Sequence, residues 1–541
     1  MHNRLYVIRT ALIVALGGFL MGFDASVISG VVGFIETEFD LTKAQLGFSV
    51  ASLTLTSTLA MMVAGPLSDR FGRRKILFAA ALLYAVSAIG SAFAPSFALL
   101  VVARMIGGFG VGASLIIAPL YIAEIAPAES RGQMVSFNQL NIVIGITVAF
   151  FTNYLILKLG DSPDSFVAGN EWRWMLGLEM LPAILYFVGL FFVPQSPRWL
   201  LMKGREEEAL PIMQMAVGNV AATQELDEIQ KSMAKDAEGE KGSIGELFRP
   251  ALRLVVLIGV VVGIVQQATG INAVFFYAPT IFAQTGIGTD ASFVQAIFVG
   301  VINVVFTLLA IALIDKLGRK PLLTGGLIGI TIAMGLLAYG FGQATYELTP
   351  DAIAEFASPA AEAGVPADPE EAAALAAVGD RLQPIAGRTY DNDVAFKTAL
   401  QEAIGTDNAT KYEGALIAQA ADLNPTLILI GILGFVAAFA VSLGPVMWVL
   451  FSELFPNRIR GIAISFVGLI NSAVSFGVQQ VFPVELAALG AATTFAIFGI
   501  VAALGLVFVL FVVPETKGKS LEELEAQLVR APEAPQVSPV V

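Results

Sequence analysis

Apolar residues run in blocks of about 20 along almost the whole chain, the length a helix needs to cross a bilayer. Twelve such blocks are predicted, at about 8–30, 46–66, 76–94, 97–122, 134–157, 173–193, 252–284, 291–314, 321–342, 426–451, 459–482 and 489–513. The first follows only a short Arg-bearing start and lacks a small-residue cleavage site, so it is expected to be a retained helix and not a signal peptide.

Polar punctuation between the blocks is duplicated. GPLSDRFGRRK (65–75) is answered by ALIDKLGRKPL (312–322), with Asp69, Gly72 and Arg73 matching Asp315, Gly318 and Arg319. YIAEIAPAESRG (121–132) is answered by LFSELFPNRIRG (450–461), with Glu124 and Arg131 matching Glu453 and Arg460. Two ordered pairs of matches predict two similar halves, and transporters commonly bind substrate between such halves. Asp69 to Asp315 is 246 residues but Glu124 to Glu453 is 329, so about 83 extra residues lie in the second half. The organisation expected is an N-terminal bundle (1–202), a cytoplasmic helical linker (203–250), three helices (251–342), an acidic extracytoplasmic insertion (343–424), three more helices (425–520) and a cytoplasmic tail (521–541). Ala, Pro, Asp and Glu dominate the insertion, which reads as a solvated appendage with little core, the alternative being a small ordered cap.

Charge then sets orientation. With the N-terminus cytoplasmic, 23 of the 31 basic residues fall in inside segments, so both termini are expected in the cytoplasm of a cell-membrane protein. The net charge of −13 is mostly local, since 343–424 hold 14 acids against 4 bases. It therefore implies no basic or nucleic-acid partner. There is no Cys and the only His is His2, which removes thiolate chemistry, a His relay and a His-based metal site; no enzyme is expected. The Gly107–Gly112 run has no strand before it, so it reads as close helix packing and not a nucleotide loop.

Three charges interrupt the apolar blocks: Asp24, Arg104 and Glu179. A charge at the bilayer centre costs about 3 kcal/mol or more, so such residues face an interior and pair. Asp24 with Arg104 is the expected pair, Glu179 a second acid near it; they either couple proton binding to helix movement or lock helices together. The repeated clusters at the cytoplasmic ends (Asp69, Arg73, Arg74, Glu124, Arg131, Asp315, Arg319, Glu453 and Arg460) read as a gate bridging helices within and between halves. Gln139, Gln266, Gln267, Asn303, Trp448 and Asn471 also lie in apolar blocks. Amides there need hydrogen-bond partners, which either neighbouring helices or a hydroxyl-rich ligand supplies, and Trp448 suits the apolar face of a sugar ring. On an ideal helix Gln266 and Tyr277 align while Gln267 and Asn272 diverge, so all four share one cavity only if the helix breaks at Thr269-Gly270.

These residues resemble the sugar porters of the major facilitator superfamily. GPLSDRFGRRK, PLYIAEIAP, VPQSPRWL, QQATGINAVFFY, DKLGRK, GPVMWVLFSELFP and VPETKGKSLEEL stand in family order. The resemblance implies an all-α membrane protein: twelve transmembrane helices in two six-helix bundles, the major facilitator fold, with a cytoplasmic helical linker. It implies sugar contacts at Gln139, Gln266, Gln267, Asn272, Tyr277, Asn303, Trp448 and Asn471. Proton-coupled members carry Asp where Asp24 stands, so the expectation is import of a hexose or pentose by proton symport, in a monomer with no cofactor besides the proton. An inositol or polyol carrier, a facilitative uniporter and a sugar sensor are the alternatives. Met21, Ile146 and Ser472 stand where xylose-carrying members have an aromatic residue, Gln and Trp, so xylose itself is not implied. Gln195 stands where the family usually shows Glu, and Phe276 replaces one Tyr of a pair.

Overall fold

The computed structural model describes residues 4–127, 131–238, 243–357, 369–456 and 459–517. The expected tail at 521–541 lies outside them, as do the side chains of Arg131 and Asp315. The first half is α1 (Arg4–Glu38), α2 (Lys43–Phe71), α3 (Arg73–Ala92), α4 (Phe97–Ile125), α5 (Arg131–Gly160), α6 (Glu171–Gly177) and α7 (Met180–Gly189). The last two form one span interrupted at Glu179. Three helices, α8 (Pro197–Met202), α9 (Glu206–Val217) and α10 (Asn219–Glu238), form the connection to the second half. That half holds α11 (Arg253–Ala268), α12 (Ile271–Phe276), α13 (Ala278–Ala283), α14 (Thr289–Leu317) and α15 (Arg319–Gly342).

Among the described residues eleven helices are long and apolar enough to cross a membrane. The expected twelve are recovered at the end of the chain, where α22 (Arg460–Phe511) follows α16–α19 (within 350–420), α20 (Pro425–Val441) and α21 (Leu443–Leu454). Fifty-two residues of straight helix would reach about 78 Å, more than twice the hydrocarbon thickness. The run instead turns at Gly490, whose φ of 78° and ψ of 167° no side-chain-bearing residue adopts easily. The run of glycines in α4 packs closely, as expected: a Cβ on Gly108 would meet Thr56, and one on Gly112 the carbonyl of Ser57.

The two halves touch near one end of the bundle. Thr54 Oγ1 donates to Gln479 Oε1 (2.8 Å), Gln480 Nε2 to the Ala44 carbonyl (2.8 Å), and Lys158 pairs with Asp290. The linker helices lie at the other end, where α8 packs on α4.

Residues 343–424 correct the expectation of a coreless appendage. Their described part folds as α16 (Pro350–Ala357), α17 (Pro369–Leu382), α18 (Asp393–Ile404) and α19 (Thr406–Ala420) around an antiparallel sheet. In that sheet β1 (Thr345–Glu347) lies between β2 (Thr389–Tyr390) and β3 (Ala421–Asp422). Tyr346, Phe356, Leu382, Phe396, Leu400 and Leu416 form a separate buried core. Each helix carries its few apolar residues on one face, as Phe396, Leu400 and Ile404 do on α18, so a mean composition hides the stripe. This unit caps the end of the bundle at which the halves touch.

Candidate functional site

In the first half, Asp24 on α1 and Arg104 on α4 meet at 3.6 Å, each about 1% exposed. Arg104 also donates through Nε to the Ser49 carbonyl (3.0 Å), fixing its reach across α2. Glu179, 2% exposed, sits in the break between α6 and α7 within Coulombic range of both. Asp24 Oδ2, Arg104 Nη2 and Glu179 Oε1 have no hydrogen-bond partner. A trio buried but incompletely paired is costly to leave as it stands.

In the second half the helix breaks where the sequence requires. Thr269 ends α11, Gly270 takes φ 86° and ψ 16°, and α12 restarts at Ile271. The break swings Asn272 back toward Gln267, to whose Oε1 it donates at 2.9 Å. Asn471 Nδ2 donates to Gln266 Oε1 and to the Gly263 carbonyl, both at 2.8 Å, and Gln267 Nε2 donates to Asn471 Oδ1 at 3.3 Å. Gln266 Nε2 donates to the Leu443 carbonyl (3.0 Å), one residue past a second break, at Ser442, between α20 and α21. Two broken helices beside a cluster of amides is how many carriers build a site at the middle of the membrane.

Two participants were missed. Ser475 Oγ accepts from Asn272 (2.7 Å) and from Gln479 (2.8 Å). Their signal was present, because Asn471, Ser475 and Gln479 recur every four residues and so share one face of α22. Tyr277 lies at the margin of the cluster, its hydroxyl donating to the Gln479 carbonyl at 3.2 Å. Asn303 is 4% exposed on α14. Gln139 on α5 and Trp448 on α21 are exposed, Trp448 by 44%, with the indole edge-on to Phe451. No described hydrogen bond joins Gln139 or Asn303 to the amide cluster.

At the linker end the described bonds of the repeated clusters form matching networks within each half. Arg73 pairs with Asp69 (2.6 Å) and grips Glu124 through Nε and Nη2, the latter at 3.0 Å. Arg74 ties to the Leu190 and Phe191 carbonyls. In the second half Arg319 pairs with Glu453 (2.7 Å), and Arg460 donates to the Phe455 carbonyl. The duplication extends to a third segment. Ser196 Oγ donates to Glu124 (2.5 Å) as Thr516 Oγ1 does to Glu453 (2.6 Å). Likewise Gln195 accepts from the Arg74 amide as Glu515 does from the matching Lys320 amide, each at 3.1 Å. VPQS (193–196) and VPET (513–516) are therefore a third repeated pair. Gln195 fills its place with a neutral acceptor, because an amide oxygen satisfies a backbone N–H as a carboxylate does.

The sequence profile of the family described as "Sugar (and other) transporter" matches residues 10–356 and 411–528. The chain belongs to that family. Between the two matches lies most of the cap. An arabinose-proton symporter of Bacillus subtilis is 34% identical over 97% of this chain and 95% of its own length. A D-xylose-proton symporter of Escherichia coli is 34% identical over 97% and 96%, and a glucose transport protein of Synechocystis 33% over 96% and 97%. The xylose transporter XylE from E. coli in an inward-open conformation superposes with a TM-score of 0.69 at 32% identity, covering 96% of this chain and all of that one. The same symporter bound to 6-bromo-6-deoxy-D-glucose gives 0.66 at 32% identity, covering 97% and 100%. This chain is thus a multi-pass membrane sugar porter of the major facilitator superfamily and not an enzyme, with the twelve-helix fold expected.

Proposed function

We propose that this chain imports a monosaccharide, a hexose or a pentose, by proton symport with alternating access, Asp24 carrying the proton. The observation that carries the reading is the division of labour between halves. One holds a buried, incompletely paired Asp24–Arg104–Glu179 trio, and the other a hydrogen-bonded set of amides on two broken helices. Relatives named as arabinose-, xylose- and glucose-transporting proteins support a sugar substrate. Amides both donate and accept, which suits hydroxyls. Gln266, Gln267, Asn272 and Asn471 are the central contacts, with Gln139, Asn303, Tyr277 and Trp448 around them. Gln139, exposed at membrane depth, lines the water-filled cleft, because an exposed amide is not stable against lipid, and Trp448 is taken to face the same cleft. The protein works as a monomer in the cell membrane, termini in the cytoplasm and cap outside, with the proton as its only coupling ion. Arg73–Glu124, Arg319–Glu453 and their neighbours set how the cytoplasmic face opens.

The test is uptake into proteoliposomes under an imposed pH gradient, across hexoses, pentoses and inositol, for the wild type and Asp24→Asn. Asp24→Asn keeps size and hydrogen bonding but fixes a neutral group, so gradient-driven accumulation disappears while sugar exchange and binding survive. A variant that still concentrates sugar moves the proton to another carboxylate, Glu179 first. Accumulation of inositol alone, or equilibration without accumulation in the wild type, favours the polyol carrier or the uniporter. Binding with no transport favours a sensor.

A further inference from the structure

We propose that the inserted cap is a lid over the sugar route, held shut by an ion pair between Lys43 of the first half and Glu413 of the cap. The cap is continuous with α15 and α20, so it is covalently part of the second half. It is also seated there. Asp393 Oδ2 accepts from the Ala491 amide (3.3 Å), beside the turn at Gly490, and Lys397 Nζ donates to Gln284 Oε1 (2.9 Å) just past α13. Toward the first half it makes a different kind of bond. Glu413 on α19 lies 3.6 Å from Lys43, the first residue of α2, and 3.1 Å from Lys397. Lys43 in turn pairs with Glu36, near the end of α1, at 2.6 Å. A row of alternating charges, Glu36–Lys43–Glu413–Lys397–Asp393, therefore runs from one half through the cap to the other.

What lies beneath makes this a lid. A cavity of about 110 Å³ separates the cap from the membrane helices, bordered by Lys43, Glu413, Lys397 and Gln284 and, on the membrane side, by Tyr277 and Phe482. Tyr277 bonds to Gln479, and Gln479, Ser475 and Asn471 lead along one face of α22 into the amide cluster. The cap thus stands across the line from its face to the candidate sugar site.

The inference rests on the alternating-access reading. To open that face, the ends of α1 and α2 must leave α13 and α22. The cap, tied at both chain ends to the second half, moves with it. Contacts such as Asp393–Ala491 travel intact, and Lys43–Glu413 is the pair that must break. It stabilises the state closed at the cap, and its loss shifts the protein toward opening there.

The chain has no cysteine, so a single introduced thiol reports directly. Thr280→Cys places one on the wall of the cavity. A membrane-impermeant maleimide applied to the cap face of intact cells should label it slowly, and several-fold faster after Lys43→Met or Glu413→Gln. The combined variant should label no faster than the single ones, because both remove the same bond between cap and first half, while the other pairs they break, Lys43–Glu36 and Glu413–Lys397, lie within the first half and within the cap. Unchanged rates, or effects of the two changes that multiply, overturn the latch. In a second arm, Lys43→Cys and Glu413→Cys are joined by a bifunctional methanethiosulfonate, which should stop uptake until a reductant releases it. Uptake by the bridged protein at the unbridged rate overturns the proposal. Labelling that responds to Lys43→Met in a protein moving no sugar of the panel defeats the transport reading and leaves the latch standing.

Discussion

Asn471→Ala isolates the amide cluster from everything around it. The side chain donates to the Gly263 carbonyl and Gln266 Oε1 and accepts from Gln267 Nε2 at a longer 3.3 Å. Three buried hydrogen bonds at about 1 kcal/mol each set an upper value near 3 kcal/mol. The residual partners lower it. Gln266 Oε1 and Gln267 Nε2 keep each other (3.2 Å), and the Gly263 carbonyl lies inside α11 with a helix partner of its own, so no buried group is stranded. A stability loss of about 2 kcal/mol remains. For the sugar, one lost amide partner and a Gln267 free to turn toward Gln266 should cost about 1 kcal/mol or slightly more, a five- to tenfold weaker affinity. Calorimetric titration of purified protein with the transported sugar measures it, with a thermal melt on the same sample. Gln480→Ala, which removes a bond to the Ala44 carbonyl at the cap end, is the control that should leave affinity within about twofold. Wild-type affinity in a folded Asn471→Ala protein would refute the claim that this cluster binds the sugar.

Three further outcomes follow from the same geometry. Glu124→Ala leaves the Arg73 guanidinium, its side chain 5% exposed, with only the half-exposed Asp69, which should cost about 3 kcal/mol and lower the melting temperature clearly more than Asp69→Ala does. Gly490→Ala forces a Cβ onto a φ of 78° and to 2.5 Å from Asp393 Oδ1, so a loss of about 2 kcal/mol and faster proteolysis of the cap are expected. Burial raises the Glu413 pKa, but the charges of Lys397 and then Lys43 outweigh it and hold the carboxyl down at about 2. A depressed carboxylate stabilises the fold above its unfolded pKa of about 4.3 and loses that contribution as pH falls through the folded value. Cap protection from protease should therefore hold above about pH 5 and decline progressively as pH falls from about 4 toward 2; a change centred near pH 6 would contradict the assigned pairing.

The features legible in the chain are those set by local rules. Bilayer thickness and helix rise make a span visible as a run of about 20 apolar residues, whatever its neighbours do. The cost of intramembrane charge singles out Asp24, Arg104 and Glu179, and their burial together repeats that logic in space. The break at Thr269-Gly270 was legible because Gln267 and Asn272 point apart on an unbroken helix, and Gly270 supplies the positive φ. Pairings between distant segments were not. Ser475 and Gln479 resemble ordinary polar residues until α22 packs on α11, and Gln195 looks like a lost acid until it is seen capping the Arg74 amide as Glu515 caps the matching Lys320 amide in the other half. The cap shows the limit most clearly. Its composition is that of a solvated acidic loop, and its core exists only because short helices with one narrow apolar stripe each turn those stripes toward Tyr346 and Phe396. Lys43 and Glu413 are 370 residues apart, and no local rule relates them. Hydrophobic length and charge cost act on each segment alone and are written in the sequence, whereas the partners of a buried polar group depend on which surfaces meet, and only the tertiary structure decides that.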